Sequence, residues 1–381
     1  MFSFAFDIDE SELDQDLAES TASLHQLRLD QQQPEASTSA LIPHSLVDRA
    51  ELIEELPPSL SYTPVVITGS NSSITLLRRD LYDARFQVIS LQDQRQEDEE
   101  DVDGASPTPN KGKAKETYID KDTDLVKGVY EGGLKTWECS LDLVRVTDEL
   151  AFQGKRGQVR GTSVIELGCG TALPLCGVFA RLLAEIRKTR SQEEESESDR
   201  PAKTQLHFQD YNKQVLSLIT LPNILLTYAQ HLATPLSAPD ADEDPEPTLP
   251  GELDVTPEFL DSFEAFLDRE NIEILFSEGD WGDLAKKSVA KYDIVLTSET
   301  VYSLDSLPSL LDVLSATCVS ETTCLVACKR IYFGVGGGEL EFRRRAEERG
   351  CKVETVWPKQ EGAGLGVSRV VMEVSWSDKK S

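Results

Sequence analysis

Little in this 381-residue chain points to a metal or to a disulfide framework. It has four histidines and seven cysteines, and no two cysteines form a C-x-x-C pair. Only Cys169/Cys176 and Cys324/Cys328 lie close in sequence, so no zinc site is expected. This usage reads as reduced thiols in a cytosolic or nuclear protein. No apolar run of ~18 residues stands out, so no membrane span is expected. The start, MFSFAFDIDE, lacks the basic opening and long apolar stretch of a secretory leader. Basic residues are scarce too: 38 Lys and Arg face 68 Asp and Glu, a net charge of -30. Direct DNA binding is not expected, because nothing neutralises phosphates on a large scale.

What is present is unevenly placed. Residues 1–35 carry a net -8, residues 97–103 -6, residues 191–200 -4 and residues 239–258 -8. These stretches hold -26 of the -30, so the body of the chain is nearly neutral and its appendages are acidic. A basic protein is the natural complement of such appendages. The hydrophobic fraction of 39% and aromatic fraction of 7% suit a folded core carrying unstructured acidic segments.

The chain divides accordingly. Residues 1–59 read as mostly disordered, with a Phe2-Phe4-Phe6 alternation that suits either a short strand or a floppy start. Residues 60–91 read as an ordered segment packing on the core: a strand over 64–68, a turn at 69–71, and a helix face lined by Leu76, Leu77, Leu81 and Phe86. Residues 92–119 are a linker. The main domain spans 120–376, with disordered insertions near 191–203 and 236–257. Within it, strands are predicted at 162–167, 205–210, 272–277, 292–297, 324–328, 351–356 and 366–374, and all but the last two have helices between them. The pattern predicts an α/β fold with a doubly wound, mostly parallel seven-strand sheet carrying an antiparallel strand at its end. Ligands bind such sheets at the carboxyl ends of the strands.

The first strand runs into Glu166-Leu167-Gly168-Cys169-Gly170-Thr171-Ala172. The glycines permit a sharp turn and close ligand approach, and the entering Glu suits a ligand with a positive end better than a phosphate. An ordinary tight turn would read the same. After the second strand comes Asp210-Tyr211-Asn212. An acid there commonly accepts from ribose hydroxyls, while Asp210 or Asn212 would also cap the next helix. After the third comes Asp280-Trp281, an acid and an aromatic able to take an adenine amine and ring, or simply to cover the sheet edge. After the fourth come Ser298-Glu299-Thr300-Val301-Tyr302, a carboxylate and a phenol where a substrate would meet a cofactor. Lys329 and Arg330, after the fifth, read as surface charges, and His207, inside the second strand, as a packed core residue.

Taken together, these strand ends resemble the seven-strand S-adenosylmethionine-dependent methyltransferases over residues 120–376. The runs Gly128–Cys139 (GVYEGGLKTWEC), His207–Asn212 (HFQDYN), Thr297–Tyr302 (TSETVY) and Tyr332–Gly338 (YFGVGGG) narrow the resemblance. They are similar to the protein-histidine N-methyltransferases that modify a large-subunit ribosomal protein. Arg78–Arg85 (RRDLYDAR) is similar to that family as well. The resemblance implies S-adenosylmethionine as cofactor and a basic, ribosomal protein as substrate, with no metal. It implies that Trp137, Glu138, Glu166, Gly168, Cys169, Gly170, Asp210, Asn212, Asp280, Trp281 and Ser298 surround the cofactor. Glu299 and Tyr302 would be catalytic, and Phe333, Gly334, Gly336, Gly337 and Gly338 would shape the peptide entrance. Two other readings stay open: a lysine methyltransferase of the same fold, and a non-catalytic acidic chaperone for a basic ribosomal protein.

Overall fold

The computed structural model describes residues 41–69, 73–85, 87, 125–126, 130–192, 201–233, 249–287, 290–332, 334, 336–358 and 368–376. The Phe-rich start, the linker at 92–119, most of both acidic insertions and Phe333 lie outside the described residues.

Among the described residues the main sheet has eight strands. Strands β1 (Ser45–Val47), β6 (Ser163–Leu167), β7 (Thr204–Gln209), β9 (Ile272–Glu278), β10 (Ile294–Ser298), β11 (Thr323–Lys329), β12 (Cys351–Trp357) and β13 (Arg369–Trp376) stand in the order β1-β9-β7-β6-β10-β11-β13-β12. The five central strands, β9 to β11, are parallel, and β13 runs antiparallel to both of its neighbours. The seven expected strands are all there, within a few residues of their expected bounds.

The sheet departs from expectation in two places. The last strand in sequence is not at the edge but between β11 and β12. Its run Val370-Val371-Met372 is buried on both faces, whereas β12 alternates buried Cys351 and Val353 with exposed Lys352 and Glu354. An alternating, charged strand belongs at an edge and a continuous apolar run belongs inside. The eighth strand, β1, comes from the region expected to be unordered. Ser45–Val47 pair antiparallel with Glu278–Phe276, and helix α1 (Arg49–Glu54) follows, capped by the Asp48 side chain.

Side chains alternate across the sheet. Val164, Leu206, Phe208, Ile274 and Phe276 face one core, built with helices α2 (Glu138–Thr147, continued by wider turns over Asp148–Arg156), α3 (Leu173–Gln192), α4 (Lys213–Ala233) and α5 (Pro257–Glu270). Ile165, Leu167, Val295, Val326 and Met372 face the other, with α6 (Trp281–Lys286), α7 (Leu307–Thr317) and α8 (Glu339–Glu348). Helix α4 is long and apolar enough to cross a membrane, but most of it is buried inside the fold, where its apolar residues pack.

Strands β2 (Ser59–Thr68) and β3 (Ser73–Arg79) pair antiparallel, so Leu76 and Leu77 lie on a strand and not on the expected helix face. A third strand, β8 (Gly251–Asp254), pairs with Ser59–Tyr62 and orders the end of the Pro-rich insertion. Strand β3 is pinned to α4. The buried Arg79 guanidinium donates to the Leu218 carbonyl (2.6 Å) and to Asp83 (2.7 Å), and its backbone N–H donates to Asn223 Oδ1 (2.7 Å). Two-residue strands β4 (Leu125–Val126) and β5 (Tyr130–Glu131) pair just ahead of α2.

Candidate active site

The carboxyl ends of β9, β7, β6, β10 and β11 lie side by side, so the residues that follow them meet along one edge of the sheet. The turn after β6 has three residues in the left-handed region: Gly168 (φ 63°), Gly170 (φ 51°) and Ala172 (φ 54°). A Cβ on Gly168 would lie 2.8 Å from Thr300 Cγ2 and 3.2 Å from the Trp281 ring. One on Gly170 would lie 3.0 Å from the Gly133 carbonyl. Bare backbone is therefore required where this turn passes the ends of its neighbours.

The amides of Gly168, Cys169 and Gly170 are already committed. Gly168 N–H donates to Gln209 Oε1 (3.1 Å), Cys169 N–H to the Gln209 carbonyl (2.8 Å) and Gly170 N–H to Asp210 Oδ2 (2.9 Å). The turn thus offers close approach without the free donors that a phosphate needs. Gln209, fully buried, also accepts from Trp281 Nε1 (2.7 Å) and donates to the carbonyls of Asp210 and Gly279 (3.0 Å each). It joins three strand ends through one amide. The sequence reading missed it, and the only hint was a polar residue ending an apolar strand.

Glu166 is turned into the core and not toward the edge: Oε2 accepts from Leu175 N–H (2.9 Å) at the start of α3, and burial pushes its carboxyl well up. The Cys169 side chain is buried too, 3.7 Å from Thr220 Oγ1. Asp210 accepts from Gly170 and, through Oδ1, from Asn212 N–H (3.3 Å). Burial raises it, against the hydrogen bonds that lower it. Asn212 is half-buried where α4 begins. Asp280 caps α6, Oδ1 accepting from Asp283 N–H (3.0 Å), and Trp281 sits beside Gly168. Ser298 is half-buried at the end of β10.

Trp137 donates to the Gly132 carbonyl (3.0 Å), and the segment between them lies on the glycine turn, with Thr136 Oγ1 3.3 Å from Thr171 Oγ1. His207 is a core residue, bonded to Tyr292 (2.7 Å) and Ser277 (2.8 Å). Among the loop glycines, Gly337 and Gly338 are clasped to the backbone of Tyr302 and Val301 (3.1 Å each). Gly336 bridges Ser303, and only Gly334 faces open space.

Glu299 is the unusual residue. It adopts φ 57°, a left-handed conformation that a Glu rarely takes. Its Oε2 accepts from Tyr332 Oη at 2.5 Å. Its Oε1 is buried, with no N–H or O–H donor bonded to it, and the Lys329 ammonium lies 3.7 Å away. Burial first, and Glu299 second, push both the Tyr332 hydroxyl and the Cys139 thiol up, so both stay protonated beside the carboxylate. Lys329 is no surface charge: it pairs with Glu138 (3.3 Å) and sits 4.9 Å from the Trp137 ring centroid. Tyr302 stands edge-on to Tyr332 at 6.2 Å. Tyr332 and Lys329 were out of reach of the sequence reading as site residues, because their link to Glu299 exists only across β10 and β11.

This arrangement suits a sulfonium nucleoside. Bare glycine backbone, acids after successive strands, an aromatic beside the turn and an incompletely bonded carboxylate are all present along one edge. A family model described as lysine methyltransferase matches residues 261–342. Histidine protein methyltransferase 1 of Schizosaccharomyces pombe is 33% identical over 303 residues, covering 78% of this chain and 75% of the relative. Histidine protein methyltransferase 1 of Saccharomyces cerevisiae is 30% identical over 287 residues, covering 72% and 69%. Fold, strand-end site and relatives agree: the chain is an S-adenosylmethionine-dependent methyltransferase and belongs to the histidine protein methyltransferase 1 family.

Proposed function

We propose that this enzyme methylates a ring nitrogen of a histidine in a protein, and that its substrate is a basic, large-subunit ribosomal protein. The observation that carries the chemistry is Glu299, held by Tyr332 through one oxygen and left with a buried, under-bonded second oxygen. The acidic appendages support a basic partner. Action in the cytoplasm or nucleus follows from that choice of substrate.

The cofactor, when bound, supplies an electrophilic methyl on sulfur. Gly168 and Gly170 would border its methionine part, Asp210 would hold its ribose, Asp280 with Trp281 would face its adenine, and Trp137 and Glu138 would help enclose it. Free imidazole has a pKa of about 6.5, so the neutral nucleophile exists at neutral pH without a base to create it. The chain's task is then to aim the ring. Glu299 Oε1 accepts the N–H of the nitrogen that does not react, which fixes the tautomer and stabilises the charge that develops on the ring. Tyr332 keeps the carboxylate from rotating. Tyr302 and Gly334 border the entrance, and positioning of this kind can supply ~7–11 kcal/mol in favourable cases.

Glu299→Gln tests the role. It is expected to leave affinity for S-adenosylhomocysteine within about twofold and to lower turnover by roughly 10²–10³-fold. Loss of cofactor binding in place of turnover would assign Glu299 to the cofactor's amino end instead. The lysine reading, which the description of the family model favours, requires transfer to a substrate whose histidine is replaced and whose lysines are intact.

A further inference from the structure

Lys329 brings an ammonium to the acceptor side of the site, and nothing in the proposed transfer uses it. Its ammonium lies 3.3 Å from Glu138 Oε2, 3.7 Å from Glu299 Oε1 and 4.9 Å from the Trp137 ring centroid, on a side chain only 18% exposed. Two carboxylates and an aromatic face are what a protein offers a substrate ammonium. Here an internal lysine already occupies them. The next acid along α2, Asp142, is taken by Arg369 (2.6 Å).

We propose that Lys329 is a specificity-determining residue: it fills the cation site formed by Glu138, Glu299 and Trp137, and so restricts the acceptor to a neutral nitrogen, imidazole over ammonium. The inference rests on the histidine reading and deepens it. Charge balance supplies the reason. Lys329 already sets a cation against Glu138 and Glu299, and Lys135 sets another 4.7 Å from the Trp137 ring centroid, so the positive charge that Glu138, Glu299 and Trp137 attract is supplied from within the chain. In the transfer the imidazole lone pair forms the N–CH3 bond as the S–CH3 bond breaks and its electrons return to sulfur. The positive charge moves from sulfur to the ring and none is added, and the remaining N–H proton leaves to solvent by way of Glu299. A lysine substrate enters as a cation and must first release a proton to water. Two cations about 5 Å apart in such a site disfavour each other by roughly a hundredfold.

The test uses the full chain, labelled S-adenosylmethionine and two peptide pools with the same randomised flanks, one centred on histidine and one on lysine. Wild type, Lys329→Met and Lys329→Arg are compared at about pH 9, where some lysine is already neutral. The readout is the ratio of label in the two pools, which does not depend on how much of each variant is folded. Wild type and Lys329→Arg are expected to label only the histidine pool. Lys329→Met is expected to shift the ratio toward lysine by at least tenfold. An unchanged ratio in Lys329→Met, with label still entering histidine, overturns the proposal, as does a shift of the same size in Lys329→Arg. If the wild type labels lysine and not histidine, the histidine reading itself fails and takes this inference with it.

Discussion

At the scale of single residues, the site is set by groups whose backbone or burial leaves no alternative. Gly337 and Gly334 separate two uses of glycine in one loop. A Cβ on Gly337 would lie 2.2 Å from the Tyr302 carbonyl oxygen, while one on Gly334, at φ 84°, meets no atom within 4 Å. Gly337→Ala is therefore expected to cost about 3 kcal/mol and to displace Tyr302. Gly334→Ala is expected to cost only about 1 kcal/mol, from backbone strain alone. Denaturant unfolding of the two variants checks the order, and equal losses would contradict the clasp between this loop and Val301-Tyr302. A run of glycines in sequence does not say which carbonyl each one must approach, so the difference between Gly334 and Gly337 was not legible there.

His207 has a measurable signature at the same scale. Burial lowers it from 6.5 to about 3, so the unfolded chain binds a proton between those values that the folded chain does not. Its contribution to stability is present above about pH 6.5 and is lost as pH falls toward 3. Glu166, raised by burial, works in the opposite direction, so the informative quantity is a difference. The fall in melting temperature from about pH 7 to pH 5 is expected to be shallower in His207→Gln than in the unaltered chain. Identical slopes would contradict a neutral, buried His207.

At the scale of elements, the sequence carried the central architecture and missed the attachments. Short apolar runs such as Val164–Leu167 and Ile294–Thr297, each ending at Gly or a polar cluster, mark buried parallel strands by composition alone. β1 and β8 carry no such mark. Ser45–Val47 is three residues long, and its partner is more than 220 residues away in sequence. Gly251–Asp254 follows a Pro-rich acidic stretch and pairs with Ser59–Tyr62. Pairing that depends on a distant edge leaves little local periodicity to read. The β1 segment nevertheless bears on the site. The Ile42 carbonyl accepts from Asp280 N–H (2.9 Å), Ile42 N–H donates to the Tyr211 hydroxyl (3.1 Å), and Pro43 lies against Gly279. Removing residues 1–48 is expected to weaken S-adenosylhomocysteine binding at least tenfold, whereas removing residues 1–40 leaves it within about twofold. Calorimetry on both truncations checks this, and equal affinities would show that the segment does not support the nucleoside end.

At the scale of the whole molecule, a nearly neutral catalytic body carries acidic appendages and a strand-end cluster in which Tyr332 and Lys329 meet Glu299. The positions of the strand-end acids were legible because the fold fixes where they fall, but the inward turn of Glu166 was not. Gln209, Tyr332 and Lys329 were not, because their roles arise from contacts between strands that are neighbours only in space. Everything proposed for this site depends on methyl transfer to histidine. The most direct test is to incubate the purified chain with labelled S-adenosylmethionine and large-subunit ribosomal proteins and to map the modified residue by mass spectrometry. The expected result is one added methyl group on a histidine ring, lost when that histidine is replaced. A methyl group on lysine, or no transfer from an enzyme that binds the cofactor, would contradict it.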